Sequence, residues 1–160
     1  MKKFVDLQTG HLHFENGAVV KENDTLKYVQ GLNLASDSSV KDMKTGWAWL
    51  TVNKIPVMGD FLNVSFAFDN DKLKEITLFL NDNEFENIST EDFYSEIYQR
   101  KIHDRNKNWI TNNIGQVGYY MWGNLYCGLK DLHGSSASMG IRYVVSPGET
   151  RPDLYLDKNL

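Results

Sequence analysis

Residues 61–80 constrain the fold of this chain more than any other stretch. Phe61-Leu62-Asn63-Val64-Ser65-Phe66-Ala67-Phe68 alternates apolar with smaller or polar residues, Asp69-Asn70-Asp71-Lys72 interrupts the pattern, and Leu73-Lys74-Glu75-Ile76-Thr77-Leu78-Phe79-Leu80 resumes it. A period of two puts successive side chains on opposite faces of a strand, so the stretch is predicted to be a β-hairpin at the middle of the fold. Leu62, Val64, Phe66 and Phe68 are the expected inward set of the first arm; Ile76, Leu78 and Leu80 are that of the second, with Glu75, Thr77 and Phe79 outward. A one-residue slip would turn four large apolar side chains of the first arm into water, so the register is well specified. The turn opens with Asp69-Asn70-Asp71 as a calcium loop does. Lys74 and Leu80 then occupy the sixth and twelfth positions, where such a loop needs Gly and Glu, so the segment reads as a turn.

The rest of the chain supplies further short strands and two helices. Residues 4–7, 11–14 and 18–20 are expected to form a small meander, with Asn16-Gly17 as a type I′ turn. Asp24-Thr25 can cap a short helix over about 25–31, closed by Gly31. Residues 35–46 are polar and turn-rich and read as a loop. Trp47 to Val52 reads as a strand with Trp47, Trp49 and Thr51 on one face, followed by a turn over 53–60 around Pro56 and Gly59. Ser89, with Asp92 three residues on, opens a long helix over about 90–113 whose apolar stripe is Tyr94, Ile97, Tyr98, Ile102 and Trp109. Tyr119 to Cys127 reads as a strand bulged at Gly123, and Met139 to Val145 as the last strand. Strands joined in sequence by short turns favour antiparallel pairing. The expected fold is therefore α+β: a mostly antiparallel, twisted sheet of about six or seven strands carrying one long helix (about 90–113) and one short helix (about 25–31), in a single domain over 1–160.

Composition narrows the function. A net charge of −4 argues against a general nucleic-acid binder, which needs a basic face, and leaves room for a basic protein partner. Cys127 is the only cysteine, so no intrachain disulfide can form. Met1-Lys2-Lys3-Phe4 has no apolar run behind its lysines, as a signal peptide would, and no run approaches the roughly 18 apolar residues of a membrane span. The expected location is the cytoplasm, away from membranes.

The search for chemistry returns weak signals. His11 and His13 share a strand face, a spacing that could seed a zinc or copper site, but no third ligand is nominated. His133-Gly134-Ser135-Ser136 puts a histidine beside serines without a nucleophile motif or an orienting carboxylate. Glu91, Asp92 and Glu96 could be paired carboxylates, though acids at a helix N-terminus are explained by the helix dipole. Gly115 and Gly118 lack the frame and the lysine of a phosphate loop. No catalytic residue, metal or cofactor is nominated, and binding becomes the expected role. The first candidate surface is acidic: Asp82, Glu84, Phe85 and Glu86, continuing into Glu91 and Asp92, where carboxylates steer a basic partner and Phe85 anchors it. The bland alternative is a solvated connector with Phe85 turned into the core. Tyr119, Tyr120, Trp122 and Tyr126 form a second candidate, for which a core role is the simpler explanation. The competing class is a small-ligand-binding protein or cofactor-free hydrolase, with a pocket between helix and sheet lined by Trp47, Trp49 and tyrosine residues.

Leu7-x-x-Gly10-x-Leu12 near the start, and Trp122-Gly123, Gly134-Ser135-Ser136 and Ile141-Arg142-Tyr143 near the end, resemble a group of small acidic bacterial proteins. These in turn are similar to immunity proteins of toxin systems, including contact-dependent growth inhibition. The resemblance covers both ends and little between them, and the chain departs from the pattern at Tyr126-Cys127-Gly128. It implies a cytoplasmic antidote that binds and blocks a toxin domain, which in many such systems is a basic nuclease. It transmits no catalytic residue.

Overall fold

A computed structural model describes residues 3–81, 88–129 and 136–143. In chain order the elements are β1 (Leu12–His13), β2 (Val19–Val20), α1 (Leu26–Gln30), β3 (Asp37–Asp42), β4 (Trp47–Val57), β5 (Asp60–Asp69), β6 (Lys72–Leu80), α2 (Thr90–Phe93), α3 (Glu96–Asn113), β7 (Gly118–Tyr120), β8 (Gly123–Gly128) and β9 (Ser138–Tyr143). β1 and β2 pair with each other. The other seven strands form one antiparallel sheet in the order β3-β4-β5-β6-β9-β8-β7, and the fold is α+β as expected.

The β5–β6 hairpin forms as its alternation dictates. Val64 lies opposite Leu78 and Phe66 opposite Ile76, all buried, while Asn63 lies opposite Phe79 and Ser65 opposite Thr77 on the other face. Asn70 and Asp71 both take positive φ (49° and 63°), the type I′ geometry that matches strand twist. At Asn16-Gly17 the expected type I′ turn does not form, because only Gly17 has positive φ. The Asn16 side chain accepts from Ala18 N–H and donates to Leu32 O, and this Asx-type bonding sets the turn instead.

Four expectations are corrected. Residues 35–46 contain strand β3, whose six residues are all exposed; with no buried face there is no hydrophobic period to read, and only the pairing with β4 reveals it. β4 runs on to Val57 through a bulge between Val52 and Ile55, and the turn is Met58-Gly59. Pro56 is tolerated there because β3 pairs β4 no further than Asn53, so its missing N–H removes no bond on that side. The segment 119–127 is a hairpin of β7 and β8, with Tyr120 opposite Gly123, rather than one bulged strand. Gly123 is glycine because β9 crosses so closely that an added Cβ would sit 2.1 Å from Arg142 O. Finally, the long helix starts at Glu96. Ser95 caps it, accepting from Tyr98 N–H, and the turn before it is the separate helix α2, capped by Ser89. The change of phase at Ser95 turns Gln99, His103, Asn106 and Ile110 inward, whereas Tyr94 and Ile97, expected in the apolar stripe, face water.

α3 and the N-terminal segment cover one face of the sheet. Phe66, Phe68, Leu50 and Ile141 are completely buried beneath them, each contributing about 1.5–3 kcal/mol of burial free energy. Trp109 donates to Asp60 Oδ2 at 2.8 Å, and its ring meets Phe4 edge-on at 6.4 Å. Trp122 Nε1 donates to Leu7 O at 2.9 Å, and the buried Tyr143 hydroxyl donates to Gly10 O at 2.7 Å. The Gly10 Cα lies so close to the Trp122 ring that a side chain there would clash, at 2.6 Å from Cβ to Cδ2.

Candidate partner-binding surface

The structure places the expected acidic surface only in part. Asp82, Glu84, Phe85 and Glu86 lie outside the described residues. Glu91 and Asp92 are exposed in the first turn of α2, where the helix N-terminus favours negative charge. Beside them the junction with α3 presents two large apolar side chains, Tyr94 at 55% and Ile97 at 69% exposure. The Phe93 ring supports Tyr94 edge-on at 5.0 Å. Glu96 is paired with Arg100 at 3.1 Å on the exposed helix surface, an ion pair of little energetic weight. Lys101 lies 5.1 Å from the Tyr98 ring centroid. Glu91, Asp92, Tyr94 and Ile97 therefore combine exposed acid with exposed apolar area inside one short stretch. Sequence reading found the acids and missed the exposure of Tyr94 and Ile97. Ser95 was the available signal, since a cap there resets the helical phase.

The second candidate group is mostly structural. Tyr120 and Trp122 stack at 5.4 Å, Trp122 and Tyr126 are buried, and Tyr119 alone is exposed. The Tyr126 hydroxyl reaches Thr77 Oγ1 at 3.3 Å across Gly140. Residues near the two ends of the chain also meet, through the bonds of Trp122 to Leu7 and of Tyr143 to Gly10, and act as a clamp on the N-terminal loop.

The expected pocket between helix and sheet, lined by Trp47 and Trp49, is not formed by those residues. Both alternate with the inward Ala48 and Leu50, so they stand on the sheet face away from α3, stacked on each other at 5.9 Å. The space under α3 is filled by core side chains. A cleft of about 470 Å³ opens instead at the N-terminal loop, lined by Lys3, Val5, Asp6, Leu7, Gln8 and His13. The Gln8 N–H bond to Asp6 Oδ1 holds the Asp6 carboxyl below its ordinary pKa. The polar side chains among the described lining residues are Lys3, Asp6, Gln8 and His13. Burial pushes the His11 pKa down, with Lys21 and His13 adding to the shift. Among the described residues no three His, Cys, Asp or Glu side chains gather as metal ligands, and no helix is long and apolar enough to cross a membrane.

No protein-family model, curated protein or solved structure matches the chain.

Proposed function

We propose that this protein is a binding module that docks on and blocks a basic protein domain, as an immunity protein blocks its toxin. The observation that carries the reading is the junction of α2 and α3, where the exposed Tyr94 and Ile97 stand beside Glu91 and Asp92. Apolar side chains of that size supply anchoring area, and exposed carboxylates steer a cationic partner and raise its association rate. The resemblance at the two ends of the chain points to the same class of partner, a toxin domain encoded beside it. The surface continues in sequence toward Asp82, Glu84, Phe85 and Glu86, which extend the acidic run.

The test is calorimetric titration of the whole protein with the C-terminal domain of the toxin encoded by the adjacent gene, together with a growth-rescue assay. Tight binding and rescue are expected. Ile97→Asp, and the pair Glu91→Lys with Asp92→Lys, should each weaken binding about tenfold or more while leaving the circular dichroism spectrum unchanged. Absence of binding at micromolar concentration together with absence of rescue defeats the reading. Undiminished binding by both variants defeats this surface as its site.

A second reading rests on the N-terminal cleft. Lys3, Asp6 and His13 in its lining suit a small zwitterionic or polar ligand.

A further inference from the structure

β3 is the outermost strand of the seven-stranded sheet. All six of its residues are exposed, Val40 keeps 47% of its surface in water, and among the described residues no strand pairs with its outer edge. An uncovered edge offers a row of backbone donors and acceptors to another strand.

The directions of those groups follow from the β3–β4 turn. Met43 N–H donates to Trp47 O at 3.0 Å, and the β3–β4 register is continuous from Asp42 opposite Ala48 to Asp37 opposite Asn53. Antiparallel pairs alternate between hydrogen-bonded and non-hydrogen-bonded. Lys41, Ser39 and Asp37 therefore bond toward β4, while Asp42, Val40 and Ser38 present their N–H and C=O groups to the free edge.

We infer that this edge pairs with β3 of a second copy of the chain, antiparallel about a two-fold axis at Ser39. In that register Ser38 and Val40 exchange backbone hydrogen bonds with Val40 and Ser38 of the second copy. Ser39 meets its own counterpart in a non-hydrogen-bonded pair. Asp37 then lies directly opposite Lys41 of the second copy, and by symmetry Lys41 opposite Asp37, giving two cross-strand ion pairs. Shifting the axis by half a residue sets inward-bonding groups against outward-bonding ones and forms no ladder. Centring it on Val40 forms a ladder but places Asp42 opposite Ser38 and Lys41 opposite Ser39, with no charge matched. Charge complementarity therefore selects the Ser39 axis. Asp37 is held for this role: its Oδ2 accepts from Asn53 Nδ2 at 3.0 Å, leaving Oδ1 for a second donor. A lysine on an edge strand ordinarily deters pairing; here it deters any strand lacking an acid at the matching position and admits a copy of itself. Six residues bury less than the roughly 1,200 Å² of a stable interface, so the dimer is concentration-dependent and weakens with salt. It uses none of Glu91, Asp92, Tyr94 or Ile97 and stands independently of the toxin-binding reading.

The test is sedimentation equilibrium of the full chain from about 10 μM to about 1 mM. The mass should rise from the 18.4 kDa monomer toward twice that value. Lys41→Asp should raise the dissociation constant about tenfold, because it sets like charges directly opposite each other, and Asp37→Lys combined with Lys41→Asp should restore it by pairing opposite charges again. Ser39→Cys should form a symmetric disulfide under mild oxidation, because non-hydrogen-bonded partners lie about 4.5 Å apart at Cα. Ser38→Cys should not, and the buried Cys127 does not compete. A monomer at every concentration overturns the proposal. So does a dimer indifferent to Lys41→Asp, or one in which Ser38→Cys cross-links as readily as Ser39→Cys. All these positions are exposed on the edge, and thermal denaturation of each variant checks that it folds.

Discussion

His11 shows how a single titratable residue ties pH to stability in this fold. Burial favours its neutral imidazole, so its pKa in the folded chain lies below the ordinary 6.5. As pH falls, the unfolded chain takes up the proton first. Stability is therefore full above pH 6.5 and declines through the window between 6.5 and the lower folded value. Urea midpoints compared at about pH 7.5 and about pH 5.5 should fall with acid in the native chain and fall less in His11→Asn. An equal drop in both proteins would assign the acid sensitivity to other groups. Glu22 acts in the opposite sense: burial raises its pKa although Lys74 opposes the shift, so its contribution is favourable below the ordinary 4.5 and is lost as pH rises through the folded value. The acids and aromatics of the candidate surface were readable one by one at this scale. Their exposure was not, because residue type does not say which way a side chain points.

At the scale of the element, α3 departs from an ordinary amphipathic helix. Its inward side carries Gln99, His103 and Asn106 as well as Trp109 and Ile110. Gln99 is a tie between segments: its Nε2 donates to Phe93 O at 2.6 Å, and its Oε1 accepts from the buried Ala137 N–H at 2.6 Å. It joins the end of α2 to the start of β9. Gln99→Leu keeps the volume but leaves the Ala137 N–H without its acceptor, which should cost about 1–3 kcal/mol. A chemical denaturation midpoint measures the loss; a neutral result would mean the two bonds are replaced by others. Because the tie fixes α2 against α3, the same variant should also loosen the surface formed by Tyr94 and Ile97. The hairpin of β5 and β6 was legible because alternation, a two-residue turn and burial all agree. α3 was misphased because a polar inward face carries no apolar period.

For the whole molecule, the decisive strand is the last one described. β9 lies between β6 and β8, so it joins the meander of β3 to β6 to the hairpin of β7 and β8. Ile141 sits at the centre of this join, opposite Ile76 on one side and Leu125 on the other, and is completely buried. Ile141→Ala should cost about 2–5 kcal/mol. If β9 couples the two halves, tryptophan fluorescence and far-ultraviolet circular dichroism will still report one coincident transition, at lower denaturant. Two separated transitions would show halves that fold independently. Pairing β6 with β9 also spans a long stretch of chain, which favours slow folding.

The sequence by itself determined the α+β class, the hairpin at the centre, the caps at Thr25 and Ser89, and the absence of any local catalytic motif. These depend on neighbours within a few positions, where period and turn chemistry act directly. Tertiary structure decided the rest. It made a strand of exposed residues 37–42, turned Trp47 and Trp49 away from the helix, placed β9 inside the sheet, and set Tyr94 and Ile97 in water. Each of these depends on a partner distant in sequence, and a strand edge or a helix face acquires its meaning only from what packs against it.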